Sequence, residues 1–178
     1  MKVILNSKQI ADTLQKLADK VLADIRHDPA DIAVIGIRSR GEILAERLSA
    51  ILSKKLGKDI PCGTLDITLY RDDINSPRGT AQPQVRTTEI GFGIDDKIII
   101  LVDDVLFTGR SSRAALDALI DLGRPKAIRY LVLVDRDGRE LPIQADYAGC
   151  KANVPAGQSV HVRLVESDGT DQVFIEQN

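Results

Sequence analysis

The chain contains no run of apolar residues near the ~20 that a helix needs to cross a bilayer. Its opening stretch, MKVILNSKQIADTL, holds an apolar run of three before Asn6 and Ser7 interrupt it. A secretory signal needs an apolar core of about 7–15 residues, so the expectation is a cytoplasmic protein with no membrane segment. Cysteine is scarce: Cys62 and Cys150 stand alone, with no Cys-x-x-Cys and no Cys/His cluster. That excludes a disulfide scaffold and a structural zinc site, and leaves buried thiols in a reducing compartment as the expectation. Neither sign of charge dominates. Twenty-four Lys and Arg against twenty-six Asp and Glu give a formal charge of −2, so wholesale nucleic-acid binding is not advertised and only a local basic patch would serve it. Histidine is limited to His27 and His161, both far in sequence from the motifs below, and no Ser/His or Cys/His nucleophile pair is visible.

What is present describes one folded domain. The 178 residues are 43 % hydrophobic and 28 % charged, ordinary for a globular chain of single-domain length. Ile10, Leu14, Leu17, Val21 and Ile25 recur at helical spacing, which predicts an amphipathic helix from Ser7 to His27, with Ser7 as N-cap and Pro29 as stop. IAVIGI (Ile32–Ile37) is a continuous apolar run of strand length, typical of a parallel strand covered on both faces. A second helix carries Leu44, Leu48, Ile51, Leu52 and Leu56 and closes at Gly57. TLDITLY alternates as a strand does. From Arg71 to Gly93 the pattern lapses into a stretch with two prolines and three glycines, and loops of that length in a compact domain are usually functional. KIIILVDDVLF predicts a buried strand, TGRSS the start of a third helix ended by Gly123 and Pro125, and AIRYLVLV (Ala127–Val134) another strand. VHVRLV and QVFIE read as strands separated by a turn at Ser167-Asp168-Gly169. Alternating strands and helices with buried runs give an α/β fold built on a mainly parallel sheet with right-handed crossovers.

The chemistry concentrates in ILVDDVLFTGRSSRA (Ile100 to Ala114). An apolar strand ends in two carboxylates, Asp103 and Asp104, and a short turn delivers Thr108, Gly109, Arg110, Ser111 and Ser112 to a helix start. In open parallel sheets ligands bind beyond the carboxyl ends of strands. A helix start rich in Gly and hydroxyl groups offers free N–H groups to an anion, phosphate above all. The carboxylates can accept hydrogen bonds from sugar hydroxyls or face a hydrated divalent cation. Phosphate at one end and a diol at the other describe a ribose 5-phosphate. A second anion loop, Arg38, Ser39, Arg40 and Gly41, follows strand Ile32–Ile37, with two guanidinium groups suited to bidentate contact with phosphate oxygens.

The first of these segments resembles the 5-phosphoribosyl 1-pyrophosphate (PRPP) signature of type I phosphoribosyltransferases. Receiver domains also carry an Asp-Asp pair, but near their first strand. IGIRSRG, LDITLYRDD, ILVDDVLFTGR, DALIDLGRPKAIRYLVLVDR and GRELPIQADY together resemble the PyrR family over nearly the whole chain. The family comprises pyrimidine-operon attenuation regulators that are also uracil phosphoribosyltransferases. The resemblance implies the type I fold, a flexible loop over about 71–93, a small hood over about 135–178, and uracil plus PRPP giving UMP and pyrophosphate with substrate-bound Mg2+. It further implies that Asp103 and Asp104 bind the ribose hydroxyls with Mg2+ nearby, and that Thr108, Gly109, Arg110, Ser111 and Ser112 cradle the 5-phosphate. Arg38, Ser39, Arg40 and Gly41 would hold the pyrophosphate, with Arg40 joining Asp103 and Asp104 in catalysis. Tyr70, Arg71, Asp72 and Asp73 would begin the closing loop. Val134, Asp135 and Arg136 sit where the family reads the base. Asp135 stands where purine enzymes usually place a lysine, which disfavours a purine. The fold and phosphate motifs do not fix the base, so a purine or orotate enzyme stays as an alternative. Family members are usually dimers or tetramers.

Regulatory members bind a leader-RNA hairpin through a basic face that includes the first helix and the segment around RELPI. Here residues 6–28 hold four basic residues (Lys8, Lys16, Lys20, Arg26) and four acidic ones (Asp12, Asp19, Asp24, Asp28), Gln144 stands where arginine is common, and Ala152–Ser159 has no basic residue. Arg38, Arg136, Arg139 and Lys151 are the cations left for that face. Phosphate neutralisation supplies much of nucleic-acid affinity, so the expectation is an RNA contact that is weak, absent or moved to another face, with the enzyme activity retained.

Overall fold

A computed structural model of the chain describes residues 1–25, 32–72 and 85–178. Strand β1 (Lys2–Asn6) leads into helix α1 (Ser7–Asp24). The helix is capped by Asn6, whose side chain accepts the Gln9 N–H at 2.9 Å while the Gln9 side chain accepts the Asn6 N–H at 2.9 Å. This reciprocal capping box displaces the cap one residue from Ser7, which becomes the first helical residue. Pro29 and His27 lie outside the described residues. Strand β2 (Ile32–Ile37) is buried throughout, and α2 (Arg40–Leu56) ends on Gly57 in a left-handed conformation. Strand β3 (Cys62–Leu65) stops short of the expected TLDITLY strand. Asp66 takes over there: its carboxylate accepts from the Thr68 N–H at 3.1 Å and the Thr68 hydroxyl at 2.6 Å, folding Thr68–Tyr70 into a single 3-10 turn. Then follow β4 (Ile98–Leu106), α3 (Arg110–Leu122), β5 (Ala127–Arg136), β6 (Tyr147–Ala152), β7 (Gln158–Arg163), the helical turn α4 (Val165–Asp168) and β8 (Gln172–Gln177).

Two sheets result. The larger has order β3-β2-β4-β5-β6 with every neighbouring pair parallel, and the smaller has order β1-β8-β7 with antiparallel pairs. Residues 135–178 therefore divide between the sheets, with β6 in the larger, and the smaller draws on both ends of the chain. Alternation along β4 distributes its side chains to two cores. Ile100 and Val102 pack with Leu14 and Leu17 of α1 and Leu44 and Leu48 of α2. Ile99 and Leu101 pack with Ala115 and Leu119 of α3 and with Tyr130 and Val132 of β5. Burial of this kind, at roughly 25 cal/mol per Å² of apolar surface, holds the helices on both faces and leaves the carboxyl ends of the parallel strands to carry polar groups. The free thiols depart from expectation: Cys62, on edge strand β3, is exposed and Cys150 half-buried. No described helix is long and apolar enough to cross a membrane.

Candidate active site

The site forms where β2 and β4 deliver their following loops side by side. Gly41, at the start of α2, lies flat on β4: a Cβ there would stand 2.6 Å from the Val102 carbonyl oxygen and 3.2 Å from the Asp103 Cα. Only a residue without a side chain allows this approach. It brings the Arg38–Gly41 loop against the acidic pair. The Arg38–Ser39 peptide bond is cis.

The two carboxylates run within β4, which continues to Leu106. Alternation sends Asp103 to the α3 face, with Leu101, and Asp104 to the α2 face, with Val102. Asp103 Oδ1 accepts the Asp104 N–H at 2.9 Å, and its Oδ2 lies 3.4 Å from the Tyr130 hydroxyl. Asp104 Oδ1 accepts the Val105 N–H at 2.8 Å. Burial, and then the neighbouring Asp104 charge, pushes Asp103 well above the usual carboxylate range. Burial raises Asp104 as well, against the opposing pull of Asp103 hydrogen bonding and the nearby Arg40 charge. Two buried like charges thus share the crest of one strand, an arrangement that sugar hydroxyls or a cation would relieve. Among the described residues no group of three or more His, Cys, Asp or Glu could hold a metal. Two carboxylates suit Mg2+, which keeps waters and substrate oxygens in its shell.

The two arginines of the β2–α2 loop divide. Arg40 turns towards Asp104 and Asp168, with its Nη2 3.1 Å from Asp168 Oδ1. Its buried Nε has no hydrogen-bond partner among the described residues, an orphaned donor at the mouth of the site. Arg38 is committed elsewhere: it pairs with Glu42 at 3.0 Å and Glu89 at 3.2 Å, and its Nε donates to the Thr87 carbonyl at 3.0 Å. Of the two arginines expected to face the leaving anion, Arg40 lies beside the acidic pair and Arg38 is paired with Glu42 and Glu89. Ser39 is exposed.

At the end of β4, Gly109 caps α3 with φ 91°, a left-handed conformation that favours glycine. The turn is held from the far side. The Glu140 and Leu141 N–H groups each donate to the Thr108 carbonyl at 3.0 Å, and Arg139 donates to the Phe107 carbonyl. The Arg110 N–H donates to the Thr108 hydroxyl at 3.3 Å, and the remaining N–H groups of the first turn of α3, with the helix dipole, suit an anion. Ser111 is exposed there. Arg110 bridges Asp72 at 2.5 Å and Glu140 at 2.6 Å. Ser112 corrects the sequence reading: it is buried, and its hydroxyl donates to the Tyr130 hydroxyl at 3.0 Å. Only its backbone is left for a phosphate, because the first turn of α3 rotates that side chain inward.

Of the loop residues, Tyr70 donates to Asp121 at 2.7 Å, and its carbonyl accepts from Arg113 at 2.7 Å. Asp72 is bound by Arg110, the Arg71 N–H reaches the Thr68 carbonyl at 3.4 Å, and Asp73 lies outside the described residues. On the base side Val134 is fully buried in the sheet. Asp135 pairs with Arg139 at 2.5 Å, and the Arg136 guanidinium lies 3.8 Å from the centroid of the Phe107 ring. Sequence reasoning gave no place in this site to Phe107, Arg139 (read only as a cation for an RNA-binding face), Glu140 and Tyr130. The first three sit in a turn and a segment with no periodicity. Tyr130 reads as one more core residue of AIRYLVLV until strand register sets it beside Asp103.

Comparison with known proteins gives the family and the fold. Residues 2–164 match the phosphoribosyl transferase domain. The chain is 48 % identical over 99 % of its length to the Bifunctional protein PyrR of Syntrophobacter fumaroxidans, covering 93 % of that protein. It is 49 % identical over 96 % of its length to the protein of the same name from Deinococcus radiodurans, covering 91 % of it. Among solved structures, the hypoxanthine phosphoribosyltransferase of Trypanosoma cruzi superposes with a TM-score of 0.73 at 15 % identity, covering 99 % of this chain and 97 % of that one. A hypoxanthine-guanine phosphoribosyltransferase from Bacillus anthracis gives 0.68 at 17 % identity, with 97 % and 96 % covered. At such identities the structures speak for the fold alone, which is that of the type I phosphoribosyltransferases.

Proposed function

This chain belongs to the PyrR family of phosphoribosyltransferases, and from that premise we propose that it converts uracil and PRPP to UMP and pyrophosphate. The observation that supports the reading is the close contact of Gly41 with β4, which brings the Arg38–Gly41 loop against Asp103. In the reaction the bond between the anomeric carbon and pyrophosphate breaks, a bond from that carbon to the uracil nitrogen forms, and the nitrogen proton leaves to solvent or to the departing anion. No covalent help from the protein is needed. The start of α3, from Thr108 to Ser111, binds the 5-phosphate, and the remaining N–H groups of that first turn do most of that work. Asp103 and Asp104 hold the ribose hydroxyls and face the positive charge that develops on the ring. Arg40, with its orphaned Nε, stabilises the leaving pyrophosphate. When bound with PRPP beside Asp103 and Asp104, Mg2+ would neutralise charge on the leaving group. The end of β5, from Val134 to Arg136, borders the base; of the closing loop expected over about 71–93, residues 73–84 lie outside the described residues.

The test is pyrophosphate release with uracil, hypoxanthine and orotate in parallel, with and without Mg2+. Uracil-dependent release is expected, and equal or faster turnover with hypoxanthine or orotate would overturn the base assignment.

A second reading, attenuation of transcription through RNA, is favoured by the name that the relatives share. The open groove beside α1 is lined by Lys20, Arg139 and Lys151, with Asp135 and Asp146 among them. Such mixed charge supports weak RNA binding at physiological salt. Titration with a pyrimidine-operon leader hairpin at about 0.15 M salt tests it. Nanomolar, UMP-strengthened binding would restore a full regulator.

A further inference from the structure

Beneath the acidic pair lies a buried hydroxyl chain for which the transfer chemistry gives no role. Tyr130 is in the middle of β5, opposite Leu101 of β4, and it is 6 % exposed. Leu101 and Asp103 share a face of β4, so the Tyr130 ring lies among Ile99, Leu101, Ala115 and Leu119 while its hydroxyl points along the sheet to Asp103. Ser112, 2 % exposed, reaches the same hydroxyl from the first turn of α3. The hydrogen bonds run from helix to strand. The Ser112 hydroxyl donates to the Tyr130 oxygen, and the single phenolic proton is left for Asp103 Oδ2, which can only accept when ionised.

We infer that Tyr130 is a positioning residue for PRPP: through the Ser112–Tyr130–Asp103 chain it fixes one carboxylate of the acidic pair relative to the helix start that binds the 5-phosphate. The inference rests on the transferase reading above. Asp103 and α3 are joined in sequence by the last residues of β4 and the turn from Phe107 to Gly109, whereas the chain through Tyr130 joins them directly across the sheet. It sets the distance between the groups that hold the two ends of the ribose 5-phosphate. The 3.4 Å separation between Tyr130 and Asp103 is long for a hydroxyl bond, and such bonds tighten when the substrate is bound. The third tyrosine of the two cores, Tyr147, is equally buried but packs on the α1 side and serves as the control for loss of a buried phenol.

The experiment compares wild type, Tyr130→Phe, Ser112→Ala and Tyr147→Phe. PRPP binding is measured by calorimetry with Mg2+ and no base, and KM is then determined separately for PRPP and uracil. Tyr130→Phe is expected to weaken PRPP binding and raise its KM about tenfold, with the uracil KM within about twofold, as befits one hydrogen bond to a charged group. Ser112→Ala should move PRPP the same way by about threefold, the share of a neutral hydrogen bond, and it carries the test should Tyr130→Phe not fold. Tyr147→Phe should leave both KM values unchanged. Wild type that binds no PRPP would overturn the transferase reading itself. Wild type that binds PRPP, with Tyr130→Phe and Ser112→Ala binding it equally well, would overturn only the positioning role. A fall in kcat and melting temperature with both KM values unchanged would also overturn it, since that marks a purely structural residue.

Discussion

Arg40 Nη2 lies 3.1 Å from Asp168 Oδ1, so the first residue of α2 joins the Arg38–Gly41 loop to the segment between β7 and β8. Asp168 is itself fixed, accepting the Leu164 N–H at 3.0 Å and the Ser167 hydroxyl at 2.7 Å. The pair is partly exposed, with side chains at 39 % and 22 %, and pairs of that kind contribute about 0–1 kcal/mol. Its importance is for the site and not for stability. Arg40→Ala should raise the PRPP requirement more than the uracil requirement, by the ~1.5–3 kcal/mol of a charge-assisted contact. Asp168→Asn should change the unfolding free energy by less than about 1 kcal/mol. Steady-state kinetics with each substrate varied, and urea melts, check both.

The acidic pair should be a liability for the fold. Both groups are raised above their unfolded values, Asp103 by burial and then by Asp104, Asp104 chiefly by burial. Stability from such groups is full below the unfolded pKa and is lost as pH rises through the folded one. Above the usual carboxylate range the pair therefore costs stability. Asp103→Asn with Asp104→Asn should abolish turnover and yet melt higher than wild type at pH 7 without ligand, with the gap closing towards pH 4. A variant that keeps its rate would remove the pair from the site. One that melts lower would show that the carboxylates are stabilising.

The opposite linkage holds at Arg47. Its guanidinium grips Glu166 through Nε at 2.8 Å and Nη2 at 2.5 Å, and Asp171 through Nη1 and Nη2, both at 2.8 Å. Hydrogen bonding to Arg47 holds both carboxyls below their usual values. Their contribution is present above the unfolded pKa and lost as pH falls through the folded one. Acid unfolding below about pH 4, where free carboxyls titrate, should therefore shift to higher pH on Arg47→Gln. Circular dichroism during acid titration would read it, and an unchanged midpoint would show that the cluster is too well solvated to matter.

Gly41→Ala tests the convergence of the loops. Its Cβ would sit 2.6 Å from the Val102 carbonyl, and overpacking of this kind typically costs about 1–3 kcal/mol. If the α2 start moves away from β4 to make room, PRPP affinity should fall by at least as much as stability, as calorimetry and thermal melting would show. Wild-type affinity would mean that the approach is incidental.

Much of this was legible before any coordinates. The strand runs IAVIGI and IIILVDDVL and the heptad-like apolar spacing of α1 and α2 depend on local pattern, and the acidic pair with Thr108-Gly109 announces its chemistry in consecutive residues. The rest depends on partners distant in sequence. Strand β1 has three apolar residues and exists because Lys2 to Asn6 pair with Gln172 to Ile175. Strand β6, YAGCKA, lacks alternation and is defined by its register with β5. The burial of Ser112 and the separation of Arg38 from Arg40 follow from side-chain rotation about helix and loop axes, which composition does not encode. That Asp103 and Asp104 face opposite cores follows from alternation alone, once the strand is seen to continue to Leu106.

The pairing of β1 with β8 has a consequence for biosynthesis. The first strand to leave a ribosome must wait for the last before the small sheet can close, and contacts of such sequence separation form slowly. Asp168, Glu166 and Asp171 lie just before that last strand, so Arg40 and Arg47 meet their acidic partners only after the rest of the fold has been made. A nascent chain halted after β6 would possess the whole parallel sheet and both anion loops, yet would lack the clasp on α2. Its folding should finish, and Arg40 reach its final setting, only once β8 has been made and has paired with β1.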